Sequence, residues 1–558
     1  MSTFIPADTS QVIQTSAILG ICFHIAIARP SFEFEQYMFK FLALAGILQL
    51  SGTYLSLAYG GQSFTRTLVQ SFLVWLGFST GLFSSITVYR LFLHRCKAYP
   101  GPLAAKISRL YATYLTAGDT QFYQVLGRLH EKHGDYVRVG PREISILDPA
   151  AIPLIYGPNT KCTRSTWYIV AGQDSDKVSL TNMRDGAKVR LRKRAWDRGL
   201  SFKALNTYQA RVKAQTDELL NQLRIHAGQP MNVSKWSMFY TFDVMGDLGF
   251  GKPFSNMVTG KEHPGIHAMH KHLWVLGVVA TISWFPRLLS AIPGSDVGLA
   301  EFLDLCAGVL KDKLETYDSS KEPRDIVSWL LKAVKDGDVS APPTKEALAD
   351  ESRSVIIAGS DTAGIALANI LFYLAKYQDK QKKLRELLDA ANPGGLSTWD
   401  YATISTVTYI DDIINETLRL KSPVIQGMPR ETPPPGLQIG EKWIPGYVNV
   451  SVPVTLIQRD PRWWKQPNEF IPERWTERRE EMGTEGAPWF PFQLGPHACP
   501  GRNLAYMLLR TSLSTIFRGF EVSFAPGETG VKFDGEYLSS LMMILRPLNL
   551  VFTPRNAN

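Results

Sequence analysis

The segment Phe492-Gln493-Leu494-Gly495-Pro496-His497-Ala498-Cys499-Pro500-Gly501 constrains this chain more than any other. It holds one cysteine in a loop broken by glycine and proline and runs straight into a helical pattern over Asn503 to Phe517. A thiol at a helix start sits where free backbone N–H groups and the helix dipole favour negative charge, so it is suited to act as a thiolate ligand. Gly495 and Gly501 let the backbone approach a flat partner without side-chain clash. A buried cysteine taken alone is more often a small core residue. The whole pattern, not the cysteine by itself, favours the ligand.

Two more patterns carry chemistry. Ala358-Gly359-Ser360-Asp361-Thr362 lies inside a long helical pattern from Lys345 to Tyr377, which Thr344 is placed to cap, with Glu346 in the first turn. Polar Asp361 and Thr362 beside glycine are poor choices for the middle of an apolar helix, which points to a functional distortion. A solvated polar face is the ordinary alternative. Glu416 and Arg419 stand three apart in the helical pattern Tyr409 to Lys421 and so share a face; by spacing alone they are a surface ion pair. Ile457-Gln458-Arg459-Asp460-Pro461 and Phe470-Ile471-Pro472-Glu473-Arg474-Trp475 follow downstream.

Together these segments resemble the cytochrome P450 family, whose cysteine signature is Phe-Gly-x-Gly-x-Arg-x-Cys-x-Gly, and the resemblance runs from Tyr99 to the carboxyl end. It implies haem b (iron protoporphyrin IX) as cofactor, with Cys499 as the axial iron ligand; a thiolate there pushes electron density to the metal and favours O–O cleavage. Phe492, Gly495 and Gly501 would shape the loop around the haem. Gln493 stands where glycine is usual, and His497 where an arginine binds a haem propionate. His497 donates a hydrogen bond but carries full charge only when protonated. Arg430, in Pro429-Arg430-Glu431, matches a second propionate contact. Lys193, in the basic run Val189 to Ser201, matches a third, with Arg192 and Arg194 as neighbours. The resemblance further implies that Thr362 hydrogen-bonds dioxygen, that Asp361 helps relay protons, and that Glu416, Arg419 and Arg474 form a buried network holding the cysteine loop.

The amino-terminal part differs from the rest. Val12 to Ala28, Phe41 to Tyr59 and Leu68 to Val88 are apolar and almost free of charge, each near the ~20 residues of a bilayer-spanning helix. Met1 to Gln11 has no Lys or Arg, which excludes a cleaved secretory signal; Arg29 and Lys40 follow the first stretch, only Arg66 the second, and Arg90, Arg95 and Lys97 the third. Three spans with a lumenal amino terminus fit the positive-inside rule; a single span with the other stretches lying on the membrane is the alternative. Tyr99-Pro100-Gly101-Pro102 then breaks any helix. The expected organisation is a membrane anchor over 1–97, a Pro/Gly hinge over 98–105, and a haem-binding catalytic domain over 106–558. Its fold class is mainly α with small β-sheets. The expected helices include Gln121 to His133, Asn206 to Arg224 and Glu301 to Tyr317, and the expected strands are Tyr136 to Val139, Glu143 to Ile146, Tyr447 to Val454 and Leu545 to Phe552. Asn392 to Gly395 and Arg478 to Ala487 read as surface loops.

The net charge of +9 comes with no nucleic-acid motif and fits a membrane surface or an acidic protein partner. The five scattered cysteines, without a Cys-x-x-Cys pair, read as reduced thiols. The function implied is monooxygenation of a lipophilic small molecule, by analogy a secondary metabolite such as a terpenoid. The electrons would come from NADPH through cytochrome P450 reductase, with cytochrome b5 as an optional second donor. The expected location is the endoplasmic reticulum membrane with the catalytic domain facing the cytosol, so the Asn-x-Ser/Thr triplets at Asn232, Asn415 and Asn449 are read as unglycosylated. Thr163 to Lys177, His267 to Ser290 and Val424 to Met428 are the segments expected to read the substrate, with Trp167, Tyr168, Trp274, Trp284, Phe285, Val424 and Met428 as candidate pocket walls. A haem-thiolate isomerase or dehydratase that uses no dioxygen, and a haem-binding membrane protein without catalysis, are the competing classes; Asp361 and Thr362 argue against the former.

Overall fold

The computed structural model describes residues 9–555 except 30, 62, 173, 280, 291, 293 and 295–297, so the first eight residues used in the charge argument lie outside it. Three helices lead the chain, α1 (Thr9–Ile27), α2 (Phe34–Tyr59) and α3 (Phe64–Val88). All three are long and apolar enough to cross a membrane. Leu48, Leu50, Leu55, Phe72 and Phe83 turn outward from them. Small residues let α1 and α3 pack backbone to backbone: a Cβ on Gly20 would strike the Phe78 carbonyl, and one on Gly81 the Ala17 carbonyl. Helix α2 joins through Gln49 Nε2, which donates to the Ser71 carbonyl at 2.8 Å.

This packing makes a prediction. Gly81→Leu forces α1 and α3 apart. His24 Nδ1 and Ser85 Oγ lie 2.8 Å apart across the pair, so cysteines placed there (His24→Cys, Ser85→Cys) should cross-link in the parent and lose that cross-link once Gly81→Leu is added. An equal yield in both would contradict the packing.

The Tyr99–Pro102 segment is docked rather than free. Tyr99 is buried, its hydroxyl donates to the Trp443 carbonyl at 2.8 Å, and Arg138 N donates to the Pro100 carbonyl at 2.7 Å. Beyond it a five-stranded sheet runs in the order Tyr136–Gly140, Glu143–Ile146, Asn449–Ser451, Arg430–Glu431, Thr163–Arg164. The expected strand Tyr447 to Val454 shrinks to three residues, because Tyr447 has a positive φ of 57° and Pro453 opens a helical turn. The expected strand Leu545 to Phe552 starts late, at Asn549, after Pro547, which has no amide to donate. A short helical turn at Gly395–Thr398 follows the first expected surface loop, and one at Arg479–Met482 occupies the start of the second.

The other helices appear as the periodicity indicates, at Phe122–His133, Phe202–Ile225, Leu299–Thr316, Thr408–Leu420 and Arg502–Gly519. The axis of the domain is Lys345–Lys376, capped by Thr344, whose hydroxyl accepts from Ala347 N at 3.1 Å. This central helix is apolar enough to span a membrane, yet most of it is buried inside the protein. Gly359 and Gly364 let helix Val233–Phe250 lie close, with Met245 and Met238 against them. Two of the three Asn-x-Ser/Thr asparagines serve local structure: Asn449 is buried and Asn232 Oδ1 caps a helix by accepting from Lys235 N at 3.2 Å.

Candidate haem-thiolate site

The cysteine loop is held by its own backbone. Cys499 N donates to the Phe492 carbonyl at 2.8 Å, Ala498 N to Gly495 at 3.0 Å, and Gln493 N to Phe490 at 3.0 Å. Gly495 has a φ of +59°, and a Cβ there would strike the Gly157 carbonyl. Gln493 is forced into the same left-handed region at +57°, which is why glycine suits this position better. Its Oε1 is buried and has no partner among the described residues.

Cys499 keeps accessible surface as a residue, while its thiol sits among protein groups that shift it by burial. Burial is the largest influence on this thiol and pushes it above the ordinary range; the Gly501 and Arg502 amides and the Lys193 and Arg502 cations pull the other way. The helix start alone therefore does not make a free thiolate, whereas a metal cation deprotonates a coordinating thiol outright. Cys96, Cys162 and Cys306 are buried, with thiols pushed up to about 11, 11 and 12 by burial, as inert core thiols are.

Cations gather beside this loop. Lys193 Nζ lies 3.3 Å from the Ala498 carbonyl. Arg430 is buried, with one terminal nitrogen on the Tyr168 hydroxyl at 3.3 Å. His497 is pushed down to about 2, first by burial and then by Arg164, Arg430, Lys193 and Arg190, so its ring is neutral near neutral pH. Arg192 faces away, bonded to Glu351 at 3.0 Å, and Arg194 is exposed, which singles out Lys193 within the basic run.

Arg164 escaped sequence reasoning. It pairs with Arg430 across two strands, and one of its terminal nitrogens donates to the carbonyls of Leu180 and Met183 at 2.6 Å each. No local signal marks it, because its partners arrive through sheet register. Tyr168, expected as a pocket wall, instead sits against Arg164 and Arg430, and Trp274 is half exposed. The buried Nε atoms of Arg164 and Arg430 and Nδ1 of His497 have no partner among the described residues. Unsatisfied buried donors beside a thiol suit a flat macrocycle that brings carboxylates to the guanidinium groups and a metal to the sulfur.

On the central helix the Thr362 hydroxyl donates back to the Ala358 carbonyl at 2.7 Å, the local competition that bends helices. Asp361 is buried, with Oδ1 3.1 Å from His270 Nε2. Among the described residues no hydrogen bond joins this pair to the cysteine loop.

Glu416, Arg419 and Arg474 are brought together and fully buried. Arg419 holds both Glu416 oxygens at 2.9 and 2.8 Å, and Arg474 Nε donates to Glu416 at 2.9 Å. Arg419 also donates to the carbonyls of Gln458, Pro467 and Glu469. Gln458 passes the connection on: its Oε1 accepts from Phe490 N at 3.0 Å, two residues before the loop. A continuous set of buried bonds thus runs from the Glu416 helix to the start of the cysteine loop.

The chain resembles known proteins over most of its length. The cytochrome P450 family profile matches residues 105–552. "Cytochrome P450 monooxygenase orf5" of Eupenicillium brefeldianum is 36% identical over 476 residues, covering 85% of this chain and 95% of its own length. "Tryprostatin B 6-hydroxylase" of Aspergillus fumigatus is 30% identical over 554 residues, covering 98% of this chain and 96% of its own. The crystal structure of the cytochrome P450DA heme domain superposes with a TM-score of 0.67 at 19% identity over 82% of this chain and 98% of that one, a likeness of fold. The chain belongs to the cytochrome P450 family. It is a monooxygenase of the kind found in fungal secondary metabolism, with haem as its cofactor.

Proposed function

We propose that Cys499 ligates the haem iron, that Lys193, Arg164, Arg430 and His497 receive the propionates, and that Asp361 and Thr362 manage protons at the dioxygen site. The observation carrying this reading is the set of buried nitrogens on Arg164, Arg430 and His497 that have no partner among the described residues and lie together at the cysteine loop. Phe492, Gly495 and Gly501 shape the loop. When bound, haem supplies dioxygen activation; the chain's own part is to hold the cofactor, exclude water and place protons.

The anchor is read as three spans. Glu33, in the connection between α1 and α2, receives a two-pronged contact from Arg184 at 2.9 and 2.7 Å, and Arg90, just after α3, donates to the Ile107 carbonyl at 2.5 Å. Both connections therefore meet the catalytic part, as an up-down-up path through a bilayer requires. The positive-inside pattern supports a catalytic domain on the cytosolic face, and the membrane proposed is that of the endoplasmic reticulum. Electrons come from NADPH through cytochrome P450 reductase, with cytochrome b5 as an optional donor. The substrate is a lipophilic secondary metabolite. The analogy of motif wording suggests a terpenoid, while the name of the Aspergillus fumigatus relative directs the search equally to tryprostatin-like molecules. Comparing metabolite extracts of host strains with and without the gene identifies it.

The test is Thr362→Ala in the reconstituted enzyme with that substrate. Without the hydroxyl, NADPH oxidation continues while product per NADPH falls about tenfold or more and hydrogen peroxide rises in step. Equal product per NADPH in variant and parent would contradict the role given to Thr362.

A further inference from the structure

Asp361 is one end of a longer arrangement. Its Oδ1 lies 3.1 Å from His270 Nε2, and His270 Nδ1 lies 2.8 Å from Glu262 Oε1. The other Glu262 oxygen meets His267 Nδ1 at 2.8 Å. One imidazole thus bridges two carboxylates: Asp361 on the central helix, and Glu262 in the turn before helix Pro264–Val279, which carries His270. The outer members reach solvent and the inner end does not: the side chains of His267, Glu262 and His270 are 59%, 25% and 34% exposed, and that of Asp361 is 6% exposed. Phe242 stands edge-on to the His270 ring at 5.8 Å. Burial alone would lower the imidazole, but Asp361 and Glu262 outweigh it and lift His270 to about 10, so both ring nitrogens carry protons near neutral pH. Glu262 is correspondingly held below its usual range, because His270 and His267 outweigh its burial.

We propose that His270 is the proton-relay residue for Asp361, receiving protons from solvent on the Glu262 side and passing them through Nε2 to Asp361 Oδ1. The inference deepens the reading of Asp361 and Thr362 as the proton-delivery pair and rests on it. The step is a proton transfer only. The Nε2–H bond breaks and an O–H bond forms on Asp361, leaving a neutral ring hydrogen-bonded to Glu262 through Nδ1. The ring then turns about its Cβ–Cγ bond so that the bare Nε2 meets solvent on the Glu262 side, and a hydronium ion returns the proton there and leaves as water. One proton enters from solvent, one leaves to Asp361, and no electron moves. An ion pair serving stability alone would be better met by arginine, which stays charged and does not release its proton; imidazole supplies the same contact with an exchangeable one.

Two variants of the full-length holoenzyme, reconstituted with its reductase in membrane, separate these roles. His270→Arg keeps a cation beside Asp361 without an exchangeable proton, and His270→Ala leaves room for free imidazole. Both are expected to lower product formation about tenfold or more and to raise the solvent deuterium isotope effect, with added imidazole restoring His270→Ala but not His270→Arg. A second readout needs no turnover. Histidine C2 hydrogen–deuterium exchange, read by mass spectrometry, should place the His270 titration well above that of an exposed histidine in the parent, and about one unit or more lower in Asp361→Asn. If His270→Arg retains parental rate and isotope effect, the contact is a structural ion pair and the relay is overturned. If His270→Ala does not hold haem, His270→Arg and the exchange measurement decide. Thr362→Ala run in parallel distinguishes the two levels: uncoupling there with an unaffected His270→Arg removes the relay alone, whereas unchanged coupling in Thr362→Ala removes the reading on which it rests.

Discussion

Cys499→Ser yields a folded chain without a thiolate-ligated haem, and product formation falls by at least about a thousandfold, roughly 4 kcal/mol of barrier. Folding survives because Cys499 is not part of the packed core: the residue keeps accessible surface, and the loop is held by backbone bonds to Phe492, Gly495 and Phe490 that serine leaves intact. Activity does not survive, because the hydroxyl is a poor anion and no other residue of the loop supplies a soft ligand. The internal control is Cys306→Ser. Cys306 is buried in the apolar core with its thiol pushed up to about 12, so that change costs packing but leaves the ligand in place. Spectra of the reduced carbon monoxide complex should lose the red-shifted thiolate band in Cys499→Ser and keep it in Cys306→Ser. Retention of the band in Cys499→Ser would remove Cys499 as the ligand.

Arg419→Ala should be the most destabilising single change outside the loop, at about 3 to 5 kcal/mol. That is a large fraction of the roughly 5 to 15 kcal/mol that holds a domain folded. The substitution leaves three backbone carbonyls, of Gln458, Pro467 and Glu469, short of a donor, and strips Glu416 of its two-pronged partner in a fully buried setting. Glu416 keeps Arg474, the Ile471 amide and Trp475 Nε1. The double variant Glu416→Ala, Arg419→Ala should therefore cost less than the sum of the singles, since the stranded charge is removed with its partner. Arg419→Lys does not rescue, because an ammonium cannot reproduce the fork that spans Glu416 and the carbonyls. Thermal unfolding and haem loss should shift together, because Gln458 carries the connection on to Phe490 and the loop. A strictly additive double variant, or haem retention untouched by Arg419→Ala, would contradict a network that positions the cysteine loop.

What was legible in the sequence was what is local. The Thr344 cap, the helix over Lys345–Lys376 and the i, i+3 spacing of Glu416 and Arg419 depend on neighbours within a few residues, and the structure has them. Gln493 could be flagged as standing where glycine is usual, and its positive φ supplies the reason. The residues that were missed owe their importance to distant partners. Arg164 is defined by sheet register with Arg430, Glu351 by Arg192 and the Trp196 indole, and His270 by Asp361. Strand ends failed for a different reason: Tyr447 and Pro453 truncate an apolar run whose alternation alone reads as a longer strand. Sequence spacing reports which residues share a helix face, but not which faces meet.

The most direct test of the central claim is isotopic. A strain expressing the full chain with a cytochrome P450 reductase is grown under heavy-isotope dioxygen, and its extract is compared with that of the Cys499→Ser strain and with growth in heavy-oxygen water under ordinary air. The account predicts a product present only with the parent chain, carrying one heavy oxygen atom from the gas and none from the water. A product formed by the parent chain that takes up no oxygen from dioxygen would contradict it.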